Sequence, residues 1–311
     1  MVMLPRRNVL IFHLGALGDF VLTWPLAMAL ARIYPQSRII YVTHGQKGKL
    51  AEKVLHVEST DVEGGWHHLF GSPGDLPANA RRILEGAHSI FSFVANDGDA
   101  WCQNVRTIAP EAQLIMLQPR PGDDNSFSGH VSEWLAGQLA KLPAVQTGYT
   151  QMLRSVQRRG AGYMRSPEER VVAVHPGSGS VEKCWPVKNF VKLTRKLVKS
   201  RHQVRVLIGE AEKERIGNED MSHFASVAEI VEPKDYVELL FQLGLATAVV
   251  CNDTGPGHLA GIIGTPTIAL FGPTDPVRWH SLGPHVRTLR GESIELISVE
   301  EVLDAVAKAT G

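Results

Sequence analysis

The stretch NDTGPGHLAGIIGTPTIALFGPTDP, residues 252–276, describes in one pass a strand end, an anion-binding turn, a helix and a second strand. Val249 and Val250 close an apolar strand just ahead of it. Thr254 is placed to cap the helix, and Pro256 suits a first helical position, where its missing N–H costs nothing. Gly255 and Gly257 let the backbone come close to a ligand. Such a helix start aims unpaired N–H groups and the positive end of its dipole at whatever lies in front of it, which favours a diphosphate. Asp253, beside the turn, is placed to contact a sugar or an acceptor. His258 lies near the helix start, where a lone histidine is more often a hydrogen-bonded packing residue than a base. The plainer alternative is an ordinary strand-to-helix turn with a good cap.

Outward from this stretch, strand and helix signals alternate along the whole chain, the pattern of parallel sheets covered by helices. In the first half the apolar runs predict strands over 8–13, 38–43, 89–94 and 113–117, with helices over 18–34 and near 48–55, 76–85 and 128–139. Residues 143–169 are polar, rich in Gly and Arg and without regular apolar spacing, so the inter-domain connection is placed there. A second series begins at Arg170, with strands over 171–175, 203–208, 227–231, 246–251 and 267–271 and helices over 187–199, 236–243 and 256–263. A last helix, about 298–309, is expected to dock back on the first half. The fold class expected is therefore α/β, two Rossmann-like doubly wound domains over 1–160 and 161–311. Facing each other, they bring their strand carboxyl ends, and so their ligand sites, into a shared cleft.

At 311 residues the chain favours two domains over one. A 44% hydrophobic and 21% charged composition excludes disorder. Lys plus Arg and Asp plus Glu number 32 each, so net charge gives no argument for a nucleic-acid partner. Cys102, Cys184 and Cys251 are widely spaced and fit no metal-ligand pattern, which suits a reduced, cytoplasmic compartment. Arg6 and Arg7 before VLIFHLGALGDFVLTWPLAMALA have the outline of a signal peptide, but His13 and Asp19 interrupt the apolar run. It reads as a buried strand followed by a helix. No run reaches the roughly 18 apolar residues of a spanning helix, so any membrane contact is peripheral.

Three further loops carry chemistry. The first strand ends in His13-Leu14-Gly15-Ala16-Leu17-Gly18-Asp19, a glycine turn that puts Asp19 in the first turn of a helix. That acid is either a favourable N-terminal carboxylate or, at a cleft edge, a general base for a hydroxyl. Gly15 and Gly18 have neither the spacing of a dinucleotide fingerprint nor the lysine of a P-loop. The second half opens on HPGSGSVEKCWP, 175–186, where Ser178 and Ser180 supply hydroxyls and Lys183 a cation, a set that fits a phosphate oxygen or a charged leaving group. A flexible turn with one solvated lysine is the competing reading. Glu210, after its strand, sits where a carboxylate can accept from ribose hydroxyls. Phe271–Pro276 shapes the loop at the cleft mouth.

Between Glu182 and Glu210 there is no acidic residue, while eight lysines and arginines occur from Lys183 to Arg205. The basic face of 187–201 is either a solvated surface or one that rests on an anionic membrane. Lys47, Lys49 and Lys53 after the second strand read as surface lysines, with contact to an anionic acceptor as the alternative.

These segments together resemble glycosyltransferase family 9, the heptosyltransferase-like enzymes with two Rossmann-type domains in the GT-B arrangement. The resemblance rests on GALGDFVLTWPLAMALARIYP in the first half, and on HPGSGSVEKCWP and NDTGPGHLAGIIGTPTIALFGPTDPVRW in the second. It implies an acceptor domain followed by a donor domain, and transfer of a heptose from an ADP donor onto the inner core of lipopolysaccharide at the cytoplasmic membrane face. It further implies Asp19 as base, with Gly15 and Gly18 on the acceptor side. Lys183 and Ser178 then belong to the donor loop, and Asp253, Thr254, Gly255, Pro256, Gly257 and His258 to the donor turn. Transfer in the family inverts the anomeric centre. The motifs require no metal and no cofactor beyond the nucleotide-sugar, and residues 60–74 match no specific acceptor site. Two rivals stay open: a nucleotide-sugar epimerase on the same double-Rossmann plan, which needs no acceptor, and a non-catalytic sugar-nucleotide-binding module.

Overall fold

The computed structural model describes residues 7–122 and 127–310, so Arg6 lies outside the described residues. The chain divides into two compact units, one built from the chain up to Phe127 with Val131–Leu153, the other from Ser128–His130 with the chain from Arg154 on. Each unit grows from one apolar strand that is buried at every position, Asn8–Phe12 in the first and Val171–His175 in the second. Runs of that kind bury both faces, which is what a parallel sheet covered by helices demands.

In the first unit the strands are β1 (Asn8–Phe12), β2 (Arg38–Thr43), β3 (Glu58–Asp61), β4 (Ala87–Ser92) and β5 (Gln113–Met116). All neighbouring pairs are parallel, in the order β3-β2-β1-β4-β5. The helices are α1 (Leu17–Leu22), α2 (Trp24–Ile33), α3 (Gly45–Leu55), α4 (Ala78–Glu85), α5 (Ala100–Ile108), α6 (Val131–Gln138) and α7 (Pro143–Arg159). The N-terminal apolar run is thus a strand followed by helix, as its interruptions by His13 and Asp19 suggest. The single helix expected over 18–34 is two, broken at Thr23. Pro25 has no N–H to continue the ladder, and the Thr23 hydroxyl donates to the Phe20 carbonyl at 2.7 Å. The irregular connection expected over 143–169 is largely the helix α7. Val145, Tyr149, Leu153 and Val156 fall on one face and are buried.

The second unit has β6 (Val171–His175), β7 (Gln203–Leu207), β8 (Glu229–Val231), β9 (Ala248–Asn252), β10 (Thr267–Phe271) and β11 (Val286–Arg290), all parallel, in the order β11-β10-β9-β6-β7-β8. Its helices are α8 (Val187–Lys199), α9 (Glu210–Arg215), α10 (Asn218–Ala225), α11 (Tyr236–Leu245), α12 (Gly255–Ile262), α13 (Pro276–Trp279) and α14 (Val299–Thr310). The last helix, expected on the first half, packs on α8, β9 and β10 of its own unit. Val302 and Val306 join Phe190, Leu193 and Leu197 of α8 in one buried core.

Both sheets are doubly wound. The strand order reverses between β1 and β4 in one and between β6 and β9 in the other. The crevice outside the carboxyl ends at such a reversal is where ligands bind in open α/β sheets. Asp19 follows β1, the 176–186 loop follows β6, and the 253–258 turn follows β9.

Candidate functional site

At the reversal of the second unit, His175 of β6 stands beside Cys251 of β9 in register. The loop from β6 then crosses the end of β9, and Asn252 fastens it there. This fully buried amide donates to the carbonyls of Pro176 and Gly177 at 2.8 and 3.1 Å and accepts from the Trp185 N–H at 2.9 Å. Trp185 is itself fully buried, with its indole N–H on the Ile297 carbonyl at 2.8 Å and its ring edge-on to Phe190. Between these two anchors lie Ser178 and Lys183.

The residues picked from the two separate motifs meet here directly. The Ser178 hydroxyl donates to the Asp253 carbonyl at 2.8 Å, and the Lys183 ammonium lies 2.8 Å from Asp253 Oδ2. Thr274, from the loop after β10, donates to the same oxygen at 2.8 Å. The Asp253 side chain is 7% exposed and that of Lys183 33% exposed, so the carboxylate is inside and the ammonium is at the surface of the site. Asp253 therefore aims Lys183, and Thr274 helps hold Asp253. Thr274 is thus the residue by which the 271–276 loop touches Asp253.

Immediately after Asp253, α12 begins at Gly255, with Pro256 in its second position rather than the first. The proline is equally harmless there, because none of the first N–H groups of a helix has an internal partner. Thr254 has the extended backbone of a cap, but its hydroxyl makes no capping bond; its carbonyl takes the His258 N–H at 3.1 Å. His258 is buried, with Nε2 3.9 Å from Asp253 Oδ1, too far for a hydrogen bond. Burial, offset only partly by the Asp253 charge, pulls its pKa down to about 4, so the imidazole is neutral near pH 7.

Glu210, expected to meet a ribose, is exposed at the start of α9. Glu212 turns inward instead, since a carboxylate at the third helical position reaches back to the N–H before the helix, here Gly209 at 2.9 Å. It packs against Gly177, where a Cβ would lie 1.8 Å from Glu212 Oε1, so only glycine admits the carboxylate. Its Oε2 is 3.9 Å from His175 Nε2, and burial lowers the His175 pKa more than Glu212 raises it. Arg215 from the same helix donates to the Ser178 carbonyl. Asn252, Glu212, Arg215 and Thr274 complete the site, and the motifs alone had not singled them out.

In the first unit Asp19 lines a pocket with His13, Thr23, Phe93, Gln118 and Ser132, at the reversal between β1 and β4. Gly15 keeps the way to it open; a Cβ there would stand 3.0 Å from the His13 ring and 3.5 Å from Asp19 Oδ2. Gly18 is the second residue of α1, directly before Asp19. His13 is buried, its Nδ1 has no hydrogen-bond partner among the described residues, and burial together with the Lys47 charge brings its pKa down to about 3. Lys47, expected at the surface, is 5% exposed and donates to the Gly15 and Leu14 carbonyls. In the 60–74 region Trp66 is buried in the core, its indole N–H on Thr60.

The sequence profile of glycosyltransferase family 9 (heptosyltransferase) matches residues 135–303, more than half of the chain and all of the second-unit site, but not the Asp19 loop. The chain is similar to lipooligosaccharide heptosyltransferase 2 of Haemophilus influenzae, 30% identical over 143 residues, which is 43% of this chain and 40% of that protein. The chain thus spans about two-fifths of the length of the curated relatives it matches first. Its fold resembles that of a family 9 glycosyl transferase from Veillonella parvula, at TM-score 0.72 and 15% identity, covering 98% of this chain and 97% of that one. It resembles equally the Escherichia coli heptosyltransferase WaaC with ADP, at TM-score 0.70 and 17% identity, covering 97% and 99%. Two Rossmann-like α/β units, with the 175–186 loop and the 252–258 turn joined at one reversal inside the matched region, place the chain in glycosyltransferase family 9.

Proposed function

We propose that this protein is an inverting glycosyltransferase that moves a heptose from ADP-heptose to a hydroxyl of the lipopolysaccharide core or a related glycan. One observation carries the donor half of this reading: Lys183, Asp253 and the start of α12 form a single constellation. An ammonium has three N–H donors. Asp253 takes one, and those that remain, with the positive end of α12, suit the oxygens of a diphosphate that gains charge as it departs. The Ser178 loop cradles it, and neutral His258 adds hydrogen bonding without further charge. Glu210, exposed at the start of α9, is the proposed ribose contact, and Glu212 behind it holds the Gly209 N–H. An Escherichia coli heptosyltransferase of the same fold has been solved with ADP, which supports the choice of nucleotide.

In the acceptor half, Asp19 is the general base. It takes the proton of the acceptor hydroxyl while that oxygen forms its bond to the anomeric carbon. The bond from that carbon to the diphosphate breaks with its electron pair on ADP, and the configuration inverts. Lys188, Lys192, Arg195 and Lys199 form an exposed stripe along α8, whereas Lys196 is paired with Glu300 at 2.8 Å. This stripe is the proposed contact with an anionic membrane surface, and flotation with anionic but not neutral vesicles tests it.

A thermal-shift series with ADP-, GDP-, UDP- and dTDP-sugars tests the donor. ADP-heptose at about 100 times its dissociation constant adds about 2.7 kcal/mol of stability. Asp19→Ala keeps that shift and abolishes acceptor-dependent release of ADP. Conversion of the nucleotide-sugar to its epimer without acceptor favours the epimerase, ADP release only when acceptor is added excludes it, and transfer that survives Asp19→Ala removes the base assignment.

A further inference from the structure

We infer that Lys47 is a positioning residue of the Asp19 loop, an internal cation that fixes the loop carbonyls behind the carboxylate. This rests on the proposed role of Asp19 as base. Lys47 lies in the first turn of α3 and is 5% exposed, although lysine heads ordinarily stay in water. Its ammonium is 2.5 Å from the Gly15 carbonyl oxygen and 3.4 Å from that of Leu14, the two residues that follow His13 in the turn leading to Asp19. It also sits 6.0 Å from the centroid of the Phe20 ring, next in sequence to Asp19. A buried ammonium needs such compensation. Burial lowers its pKa, and the Asp19 charge acts in the opposite direction.

The charged and titratable groups gathered here come from three elements: Asp19 from α1, Lys47 from α3 and His13 from the end of β1. His13 is kept neutral, so it adds no charge beside the base. Among these three groups Lys47 is the cation, and it does two separable things. Its hydrogen bonds hold two consecutive carbonyls of a glycine turn that would otherwise have many conformations. Its charge favours the ionised form of Asp19, the form that can accept a proton.

Two substitutions separate these effects. Lys47→Met removes both, whereas Lys47→Gln can still donate to the Gly15 carbonyl but carries no charge. In Lys47→Met, kcat for transfer falls about 10- to 100-fold, within the range of a mispositioned base, while KM for ADP-heptose, read on the other unit, stays within about twofold. In both variants the acid limb of the pH profile of kcat/KM moves up by about one unit, because a carboxylate that loses a neighbouring cation titrates higher. Lys47→Arg keeps the limb in place. Carbon-13 NMR of the aspartate carboxyls, with Asp19 assigned through Asp19→Asn, follows the same titration without any turnover. A failure of the transferase reading, seen as no transfer by the unaltered protein, leaves that measurement to decide the part played by Lys47. If Lys47→Met fails to fold, Lys47→Gln carries the test. An Asp19 titration that does not move in a folded, uncharged variant overturns the inference.

Discussion

Replacing Lys183 by methionine leaves the Asp253 carboxylate inside the second unit without its cation. At their 2.8 Å separation, and with an effective dielectric near 20, the gross attraction is about 6 kcal/mol. Removing one partner of a fully buried pair costs about 3–5 kcal/mol. Here the loss is smaller, because Lys183 is one-third exposed, so water reaches the vacated side, and Thr274 still donates to Oδ2 at 2.8 Å. The expected destabilisation is about 2 kcal/mol, or a fall in Tm of about 4–8 °C for a unit of this size. Asp253→Asn added to Lys183→Met removes the stranded charge while leaving an acceptor for Thr274, so most of the stability returns. Donor binding and transfer do not, because the ammonium is still missing. Thermal unfolding at pH 7, beside ADP titration calorimetry, reads both quantities. A double variant no more stable than the single one, or one that regains ADP affinity, refutes the reasoning.

His13, His130, His175 and His258 are all held neutral by burial, the first with its pKa down to about 3 and His130 and His258 to about 4. Unfolded histidine titrates near about 6.5, so between that pH and about 4 the unfolded chain binds more protons and stability falls as the solution is acidified. Each group contributes a slope of up to about 1.4 kcal/mol per pH unit, and His258→Gln lowers the slope of urea-unfolding free energy against pH by about one such increment; an unchanged slope contradicts the assignment. Gly177→Ala drives its Cβ into Glu212 and releases that carboxylate from the Gly209 N–H. The expected cost is about 1–3 kcal/mol with weakened ADP binding. Glu212→Ala in the same chain relieves the clash, and a Gly177→Ala protein as stable as the unaltered one is the contrary result.

The doubly wound plan was legible because buried parallel strands such as 171–175 and 267–271 are continuous apolar runs between turn residues. The edge strands β3 and β11, reading ESTD and VRTLR, are polar and partly exposed, and no periodicity announced them. Helix α7 was missed for a different reason. Gly148 lies within it and Gly160 and Gly162 follow it, so a glycine-rich composition masked the four apolar residues on its buried face. Helix α9 is too short for a period to show, and with it went the inward turn of Glu212.

The site was legible wherever a motif is local. Lys183 and Asp253 are 70 residues apart, yet each stood in a recognisable loop, and the structure joins them. Asn252 and Thr274 are different. Asn252 bonds to residues 67 to 76 positions away and Thr274 to one 21 away, and nothing near them in sequence names those partners. Lys47 shows the reverse error. Its polar neighbours suggested solvent, and only the packing of α3 beside the β1 loop puts its ammonium on backbone carbonyls.

The Asn252 amide has a consequence for how deep a ligand can go. In an open sheet the reversal leaves a slot between two strand ends, and a nucleotide or a sugar can wedge its way down into it. Here a single carboxamide bolts the floor of that slot, spanning Pro176 and Gly177 on one side and Trp185 on the other. On the proposed reading, a diphosphate rides on top of this floor, beside the start of α12 and the Lys183 ammonium. A longer or shorter residue at 252 would therefore, on that reading, change the height at which the donor sits.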